Sequence, residues 1–278
     1  LTNGSLLGNT VIDRLAARGV VCTRVSEADG LASVDLSPFS HILHLWTHEG
    51  SSRGYQSIVD LSKRLAQRTN SAAVTITVVA QRLHDVYGNG EVHPDTAMLM
   101  GPCLVVPQEQ TDITIKTVDL DRDAADTLLA EIANGSGDPH VAYRGHVRFV
   151  PRFERVDLPH ADRIDALRQG GVYAITGGFG RVGTHLAETL FEACGARLAL
   201  IGRTAVLSPR LVDLQARGAE ILTIAADVAD ENAMRRAVTQ IATHFGSLHG
   251  VIHAAGLLND PSFTCPIDAL DAAASAAQ

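Results

Sequence analysis

The stretch that most constrains the fold is residues 173–183, YAITGGFGRVG. An apolar run typical of a buried strand leads into Gly178, Gly180 and Gly183, which have the spacing G-x-G-x-x-G, and a helix-like pattern follows. Such glycines allow a tight turn and bring backbone close to a pyrophosphate, which the free N–H groups of the helix start can bind. The stretch predicts a dinucleotide site, and a tight turn without a ligand is the alternative.

The second half of the chain alternates strands and helices. Apolar runs typical of strands end at Thr176, Arg203, Val228 and Gly256, and amphipathic segments separate them. Ser208 and Asp230 are predicted N-caps. This alternation predicts a doubly wound parallel sheet with strand order 3-2-1-4. The run VIHAAG would then form an outer strand, whose open apolar edge needs a cover from a further segment or a second chain.

The first half has the same alternation without a glycine-rich turn after any strand. Strand-like runs occupy residues 20–25, 41–46, 72–81 and 113–120, and residues 140–156 are strand-rich around a glycine. Helix-like segments occupy residues 56–68 and 124–134, and residues 96–109 read as a helix broken near Gly101 and Pro102. We therefore predict an α/β protein with two Rossmann-like subdomains: a structural one at 1–168 without a cofactor site, and an incomplete cofactor-binding one at 169–278.

Composition limits the classes of function. The net charge of −8 disfavours a nucleic-acid-binding face, so a bound phosphate needs local donors. The sequence has no uncharged apolar run of membrane-spanning length, and its four cysteines are scattered. We expect no signal peptide and a cytoplasmic protein with reduced thiols. Because the chain begins with Leu1, we expect a piece of a longer polypeptide. His41 and His44 would point to opposite faces of a strand, so we predict no metal site.

The residues after the second strand of the C-terminal half indicate which dinucleotide binds. An acidic residue at this position would bind a ribose 2′-hydroxyl, whereas an arginine accommodates a 2′-phosphate. Arg203, followed by Thr204, stands there and favours NADP(H) over NAD(H). The alternative is an ordinary surface arginine.

Four motifs, TGGFGRVG, LIGRT, AADVAD and HAAG, resemble those of the short-chain dehydrogenase/reductase superfamily, and more narrowly the ketoreductase domain of modular polyketide synthases. HILHLW and HPDTAMLMGPCLVVPQE resemble the structural subdomain of those ketoreductases. The resemblance implies that the glycines bind the pyrophosphate and that Thr176 stabilises the turn. It also implies that Arg203 and Thr204 lie beside the 2′-phosphate. Asp227 and Val228 would flank the adenine, and the HAAG segment would lie behind the nicotinamide. The implied cofactor-binding residues are Thr176, Gly178, Phe179, Gly180, Arg181, Val182, Gly183, Arg203, Thr204, Asp227, Val228, Ala254, Ala255 and Gly256.

The resemblance also implies a reaction, the NADPH-dependent reduction of a β-ketoacyl group on an acyl carrier protein. The family's catalytic Ser, Tyr, Lys and Asn lie beyond the HAAG strand, and none of the four tyrosines here has Lys or Asn four positions on. We therefore assign no catalytic residue and expect this chain alone to be inactive without a C-terminal ketoreductase segment.

Expected partners are that segment, the carrier protein and neighbouring synthase domains, with no nucleic acid and no membrane. A noncatalytic, ketoreductase-like scaffold within a synthase module is the main alternative, and a stand-alone reductase with an unusual site is a weaker one.

Overall fold

A computed structural model describes residues 1–32, 34–50, 53–68, 72–90, 92–135, 137–157, 166–256 and 265–270. The chain divides into two compact units. Unit 1 comprises Leu1–Glu154 and Pro261–Gln278, and unit 2 comprises Arg155–Asp260. The last described segment of the chain, 265–270, thus belongs to the same unit as the N-terminal half.

Unit 1 is a five-stranded sheet with helices on its faces. Strands β1 to β4 are parallel, β5 is antiparallel to β4, and the order in the sheet is β1-β2-β3-β4-β5. Its elements are α1 (Leu6–Ala16), β1 (His41–His44), α2 (Gly54–Ala66), β2 (Val74–Ala80), α3 (Pro94–Ala97), α4 (Met100–Glu109), β3 (Ile113–Leu120), α5 (Ala125–Ala133), β4 (His140–Arg144), β5 (Val147–Phe149) and a 3₁₀ helix (Ile267–Ala269).

Two separate apolar cores cover the two faces of this sheet. Ile42, Ile76 and Ile115 face a core that α2 and α4 complete, whereas Val79 and Val118 face a core that α1 and α5 complete. A parallel sheet buried on both faces needs strands that are mainly apolar, and β2 is so apart from Thr75 and Thr77. The 3₁₀ helix contributes Ile267 to the first core.

One predicted strand in this half was wrong, and the predicted helix break is slightly displaced. Residues 20–25 form no strand, and Val21 is 91 % exposed, because no neighbouring strand pairs with them in the described part of the chain. The helix break falls at Met98 and Leu99, two residues before Gly101. Pro102 lies in the first turn of α4, where its missing N–H would have had no helical partner in any case.

Unit 2 is a four-stranded parallel sheet in the order β8-β7-β6-β9, which confirms the predicted order 3-2-1-4. Ser208 and Asp230 cap α7 and α8 through their side chains, as predicted. Within the described residues, β9 is an edge strand, and Val251 on it is 62 % exposed. The elements are β6 (Val172–Thr176), α6 (Arg181–Cys194), β7 (Arg197–Gly202), α7 (Pro209–Ala216), β8 (Ile221–Ala225), α8 (Glu231–Phe245) and β9 (Gly250–His253).

No helix in the described ranges has both the length and the apolar composition needed to cross a bilayer.

A buried ion cluster fastens α5 to three strands of unit 1. Glu131, 1 % exposed, accepts two hydrogen bonds from Arg148 (2.7 and 3.0 Å) and one from the Tyr143 hydroxyl (2.5 Å), and it pairs with Lys116. Burial by itself raises the pKa of Glu131, but the hydrogen bonds from Arg148, Lys116 and Tyr143 outweigh burial and lower this pKa to about 2. Burial and the Glu131 carboxylate together raise the pKa of Tyr143 to about 12.

Substitution of Glu131 by Gln is expected to destabilise unit 1 strongly at neutral pH. It removes the buried anion that Lys116 and Arg148 share, although Arg148 keeps its pair with Asp138, so the free energy of unfolding should fall by about 1.5–3 kcal/mol. Because the folded carboxylate has a lowered pKa, its contribution is complete above the ordinary carboxyl pKa of 4.5 and disappears as the pH falls towards 2. Urea denaturation from pH 7 to 2 should therefore show the difference between the native chain and the variant shrinking below about pH 4.5.

The matched control is Glu192→Gln, which breaks the exposed pair with Arg217. Its free energy of unfolding should stay close to that of the native chain at every pH, because water screens an exposed pair. Equal effects of the two substitutions would contradict the assignment of Glu131 as a buried anchor.

Candidate functional site

The turn between β6 and α6 is packed so closely that a Cβ atom on three of its glycines would collide with neighbouring atoms. Gly177 has φ +67°, and a Cβ on it would collide with the carbonyl oxygen of Ala254 after β9. A Cβ on Gly178 would lie 2.9 Å from Cβ of Leu200 on β7. A Cβ on Gly183 would lie 2.7 Å from Cα of Gly178. The glycines thus bring the helix start, the turn and both neighbouring strands together.

Gly177 is a site residue that the G-x-G-x-x-G spacing did not single out. Its signal in the sequence was the doubled glycine directly after the strand. Gly180 is looser than the others: a Cβ there would meet only the carbonyl oxygen of Gly177, at 3.2 Å, and its outer side is exposed. Gly177, Gly178 and Gly183 are therefore required for packing, whereas Gly180 is exposed to solvent.

Helix α6 begins without a side-chain cap. Its N-cap is Gly180, whereas Ser208 and Asp230 accept hydrogen bonds from the first turns of α7 and α8. The first intrahelical bond of α6 is from Thr184 N to Gly180 O, at 2.8 Å. The N–H groups of Arg181, Val182 and Gly183 precede it and have no intrahelical acceptor. With the positive end of the helix dipole, they form a place where an anion is stabilised.

Thr176 joins the turn to β9. Its hydroxyl lies 2.7 Å from Nδ1 of His253, and its carbonyl accepts the N–H of Ala254 at 3.0 Å. Ala254 and Ala255 are half-buried and Gly256 is exposed. The structure therefore places the HAAG segment against the glycine turn.

The end of β7 lies beside the same turn. A Cβ on Gly202 would lie 2.9 Å from the ring of Phe179, so this ring covers the last residue of β7. Arg203 and Thr204 follow directly and are exposed.

Two exposed arginines near the turn form no ion pair within the described part of the chain. In the described part of the chain, Arg210 pairs with Glu188 and Arg217 with Glu192, whereas Arg203 and Arg181 have no carboxylate within ion-pair distance. These two cations give a local positive charge in a chain of net charge −8.

The end of β8 completes this edge of the sheet. Ala226 N donates to Gly202 O at 3.0 Å, which sets the end of β8 beside the end of β7. Asp227 is exposed, and its carboxylate accepts the N–H of Ala229 at 3.0 Å, which fixes the loop before α8. Val228 is 40 % exposed. The structure thus brings the predicted site residues to the carboxyl edge of one parallel sheet, where open α/β sheets bind ligands.

The sheet, the glycine-rich turn and the uncapped start of α6 place unit 2 in the class of parallel α/β folds with a glycine-rich helix start at the carboxyl edge of the sheet. A comparison with family models agrees, because the model described as "KR domain" matches residues 171–272.

The similar curated proteins are polyketide synthases. One phenolphthiocerol/phthiocerol polyketide synthase from Mycobacterium tuberculosis is 35 % identical over 176 residues, which cover 60 % of this chain and 10 % of that protein. Polyketide synthase ThaG of Burkholderia thailandensis is 29 % identical over 213 residues, which cover 74 % of this chain and 4 % of that protein. The chain spans a tenth or less of the length of these two relatives.

The similar solved structures are ketoreductases. The first ketoreductase of the tylosin polyketide synthase has a TM-score of 0.72 at 23 % identity, covering 99 % of this chain and 62 % of that one. The ketoreductase from the first module of phoslactomycin biosynthesis in Streptomyces has a TM-score of 0.67 at 24 % identity, covering 89 % of this chain and 57 % of that one. At such identities these structures show the fold.

The resemblance to the ketoreductase domains of polyketide synthases is thereby confirmed: residues 171–272 match the KR domain family model, and the similar proteins and structures include polyketide synthases and their ketoreductases. Ketoreductase domains of the short-chain dehydrogenase/reductase superfamily bind a nicotinamide cofactor.

Two glycine substitutions distinguish a position of the turn that has no room for a methyl group from one that has room. We expect Gly183→Ala to lower the free energy of unfolding by at least about 2 kcal/mol, because the new methyl group meets backbone that cannot move aside. We expect Gly180→Ala to cost less than about 1 kcal/mol, because its Cβ contact of 3.2 Å needs only a small shift. Chemical denaturation measures both values.

Gly101→Ala in α4 is the control, because nothing lies within 4 Å of its added methyl group. It should leave stability unchanged or raise it slightly. The packing of the turn described above would be wrong if Gly183→Ala were as well tolerated as Gly101→Ala.

Proposed function

We propose that unit 2 binds NADPH and that the chain is part of a polyketide synthase ketoreductase. The observation that carries the proposal is the start of α6, where a glycine N-cap leaves the N–H groups of Arg181, Val182 and Gly183 without a side-chain acceptor. A pyrophosphate supplies the oxygens that these donors lack, and the glycine turn gives it room to approach.

Preference for NADPH over NADH rests on Arg203. Arg203 is exposed directly after β7 and has no carboxylate partner among the described residues, so it offers a guanidinium to a 2′-phosphate. Thr204 adds a hydroxyl donor beside it. An NAD-type site would place a carboxylate here to bind the 2′-hydroxyl.

The remaining site residues take roles along the same edge. Phe179 holds the turn against Gly202, and Thr176 holds it against His253. Asp227 and Val228 flank the adenine after β8, while Ala254, Ala255 and Gly256 back the nicotinamide and its ribose after β9. Unit 1 has no equivalent glycine turn in its described part and acts as a structural subdomain.

The bound cofactor supplies a hydride, and reduction of a ketone needs a proton donor as well. Tyr173 is buried in β6, where its oxygen accepts the N–H of Arg168 at 2.7 Å, and the other three tyrosines belong to unit 1. We therefore propose that the donor comes from a ketoreductase segment outside the described residues. An acyl carrier protein would present the β-ketoacyl chain, and neighbouring synthase domains would be the other partners.

Titration of the purified chain with NADPH, with NADH as comparison, tests the cofactor assignment. We expect NADPH to bind at least about tenfold more tightly, since one charge-assisted contact with the 2′-phosphate contributes about 1.5–3 kcal/mol. Arg203→Ser should weaken NADPH binding about 10- to 100-fold and leave NADH binding nearly unchanged. Isothermal calorimetry measures all four affinities.

Arg217→Ser is the matched control, because it removes one positive charge at the end of α7, where Arg217 pairs with Glu192. It should leave NADPH affinity unchanged. Failure of a folded chain to bind either dinucleotide would refute the cofactor proposal and favour a noncatalytic scaffold.

A further inference from the structure

A cavity of about 390 Å³ lies on one side of helix α2 in unit 1. This volume is within the range of small-molecule sites, about 300–1,000 Å³. Trp46, which follows β1, and residues of the loop 27–32 form parts of its wall. The helix contributes side chains that are spaced three or four residues apart and therefore share one face: Ser57, Asp60, Arg64 and Gln67.

Trp46 brings to this cavity a hydrogen-bond donor that no described residue satisfies. The residue is only 3 % exposed, and its indole N–H has no acceptor in the described part of the chain. A buried donor without an acceptor has lost its hydrogen bonds to water without replacing them, so such groups are rare in folded proteins. An acceptor that entered the cavity would replace them.

Arg64 adds a second unmet donor and a positive charge. Its Nη2 donates to the carbonyl oxygens of Ala32 at 3.3 Å and Val34 at 3.2 Å, which fixes the guanidinium against the loop. Its Nε is buried and has no acceptor among the described residues. Both acceptors of Nη2 are neutral, and no carboxylate in the described part of the chain lies within ion-pair distance of Arg64.

The carboxylates at the cavity already have partners within the protein. Asp60 accepts a hydrogen bond from Nε2 of Gln56 at 2.8 Å and lies 3.5 Å from Nη2 of Arg53. Glu27 accepts one from Asn3 at 3.5 Å. Among the described residues, the buried groups of the cavity that lack a partner are therefore both donors, and one of them is charged. These groups favour an anion with acceptor oxygens.

We propose that this cavity binds a small organic anion, whose carboxylate or phosphate oxygens accept hydrogen bonds from Trp46 and Arg64. The guanidinium is already fixed by Ala32 and Val34, so it supplies the opposite charge with little loss of side-chain freedom on binding. Leu31 and the indole ring give the carbon atoms of the ligand an apolar surface. All of these residues belong to unit 1, so the inference is independent of the proposed cofactor site in unit 2.

Trp46 is the only tryptophan of the sequence, so tryptophan fluorescence reports on this cavity alone. The purified chain is titrated with butyrate, butyl phosphate and the neutral butyramide, at constant ionic strength set with sodium chloride. We expect at least one of the two anions to change the emission saturably, with a dissociation constant of about 10 mM or lower. The anion that binds more tightly identifies the head group.

Butyramide and sodium chloride should give no saturable change, because neither combines a negative head group with an apolar body. The proposal would be overturned by the absence of a saturable change with both organic anions up to about 50 mM. An equal response to butyramide would overturn it as well, since the charge of Arg64 would then play no part.

Substitution of Arg64 tests its role directly. Arg64→Gln removes the charge and the Nε donor, and we expect it to weaken binding of the anion by at least about tenfold. Arg18→Gln is the matched control, because Arg18 is an exposed arginine of unit 1 that does not line the cavity. It should leave the affinity unchanged. Equal affinities of the two variants would contradict the assignment of Arg64.

Trp46→Phe gives a second test that does not depend on Arg64 or on fluorescence. It keeps an aromatic ring but removes the indole N–H, and circular dichroism without ligand shows whether the variant is folded. At an anion concentration ten times the dissociation constant, the melting temperature of the native chain should rise by about 3–5 °C. The variant should lose at least half of this rise. A full rise in the variant would show that the anion does not bind at Trp46.

Discussion

The structure of the candidate site depends on one close approach, that of the glycine turn after β6 to the backbone after β9. Gly177 stands against the carbonyl of Ala254, and Gly183 stands against Gly178, so neither position has room for a side chain. This contact sets α6 with its first turn at the carboxyl edge of the sheet. The free N–H donors and the ends of four strands meet there because these glycines remove the steric obstacle.

Charged side chains are paired in the core of unit 1, whereas, among the described residues, two arginines near the turn of unit 2 are not. In unit 1, the buried Glu131 carboxylate is neutralised by the half-buried Lys116 and Arg148, and this pairing fastens α5 to the sheet. At the turn of unit 2, Arg181 and Arg203 keep their charge in the described residues. A chain of net charge −8 attracts an anion only through such local donors, so the uncapped helix and these arginines together explain where an anion would bind.

Much of this arrangement could be predicted from particular residues. The spacing of glycines after VYAIT indicated the turn, and Ser208 and Asp230 marked the helix starts that the structure confirms. The strand order followed from the doubly wound pattern that such an alternation of strands and helices predicts. The residues 20–25 were misassigned because a β-branched run shows only that a strand would be favourable, whereas pairing depends on a neighbour distant in sequence.

The sequence by itself determined most of the local elements, the parallel order of unit 2 and the position of the glycine-rich turn before α6, because each depends on periodicity, caps or glycine spacing within a short stretch. The tertiary structure alone decided the contact of Gly177 with Ala254, the cover of Phe179 over Gly202 and the assignment of residues 265–270 to unit 1. These features join residues far apart in the chain, and their energies come from packing and backbone pairing that no local pattern contains.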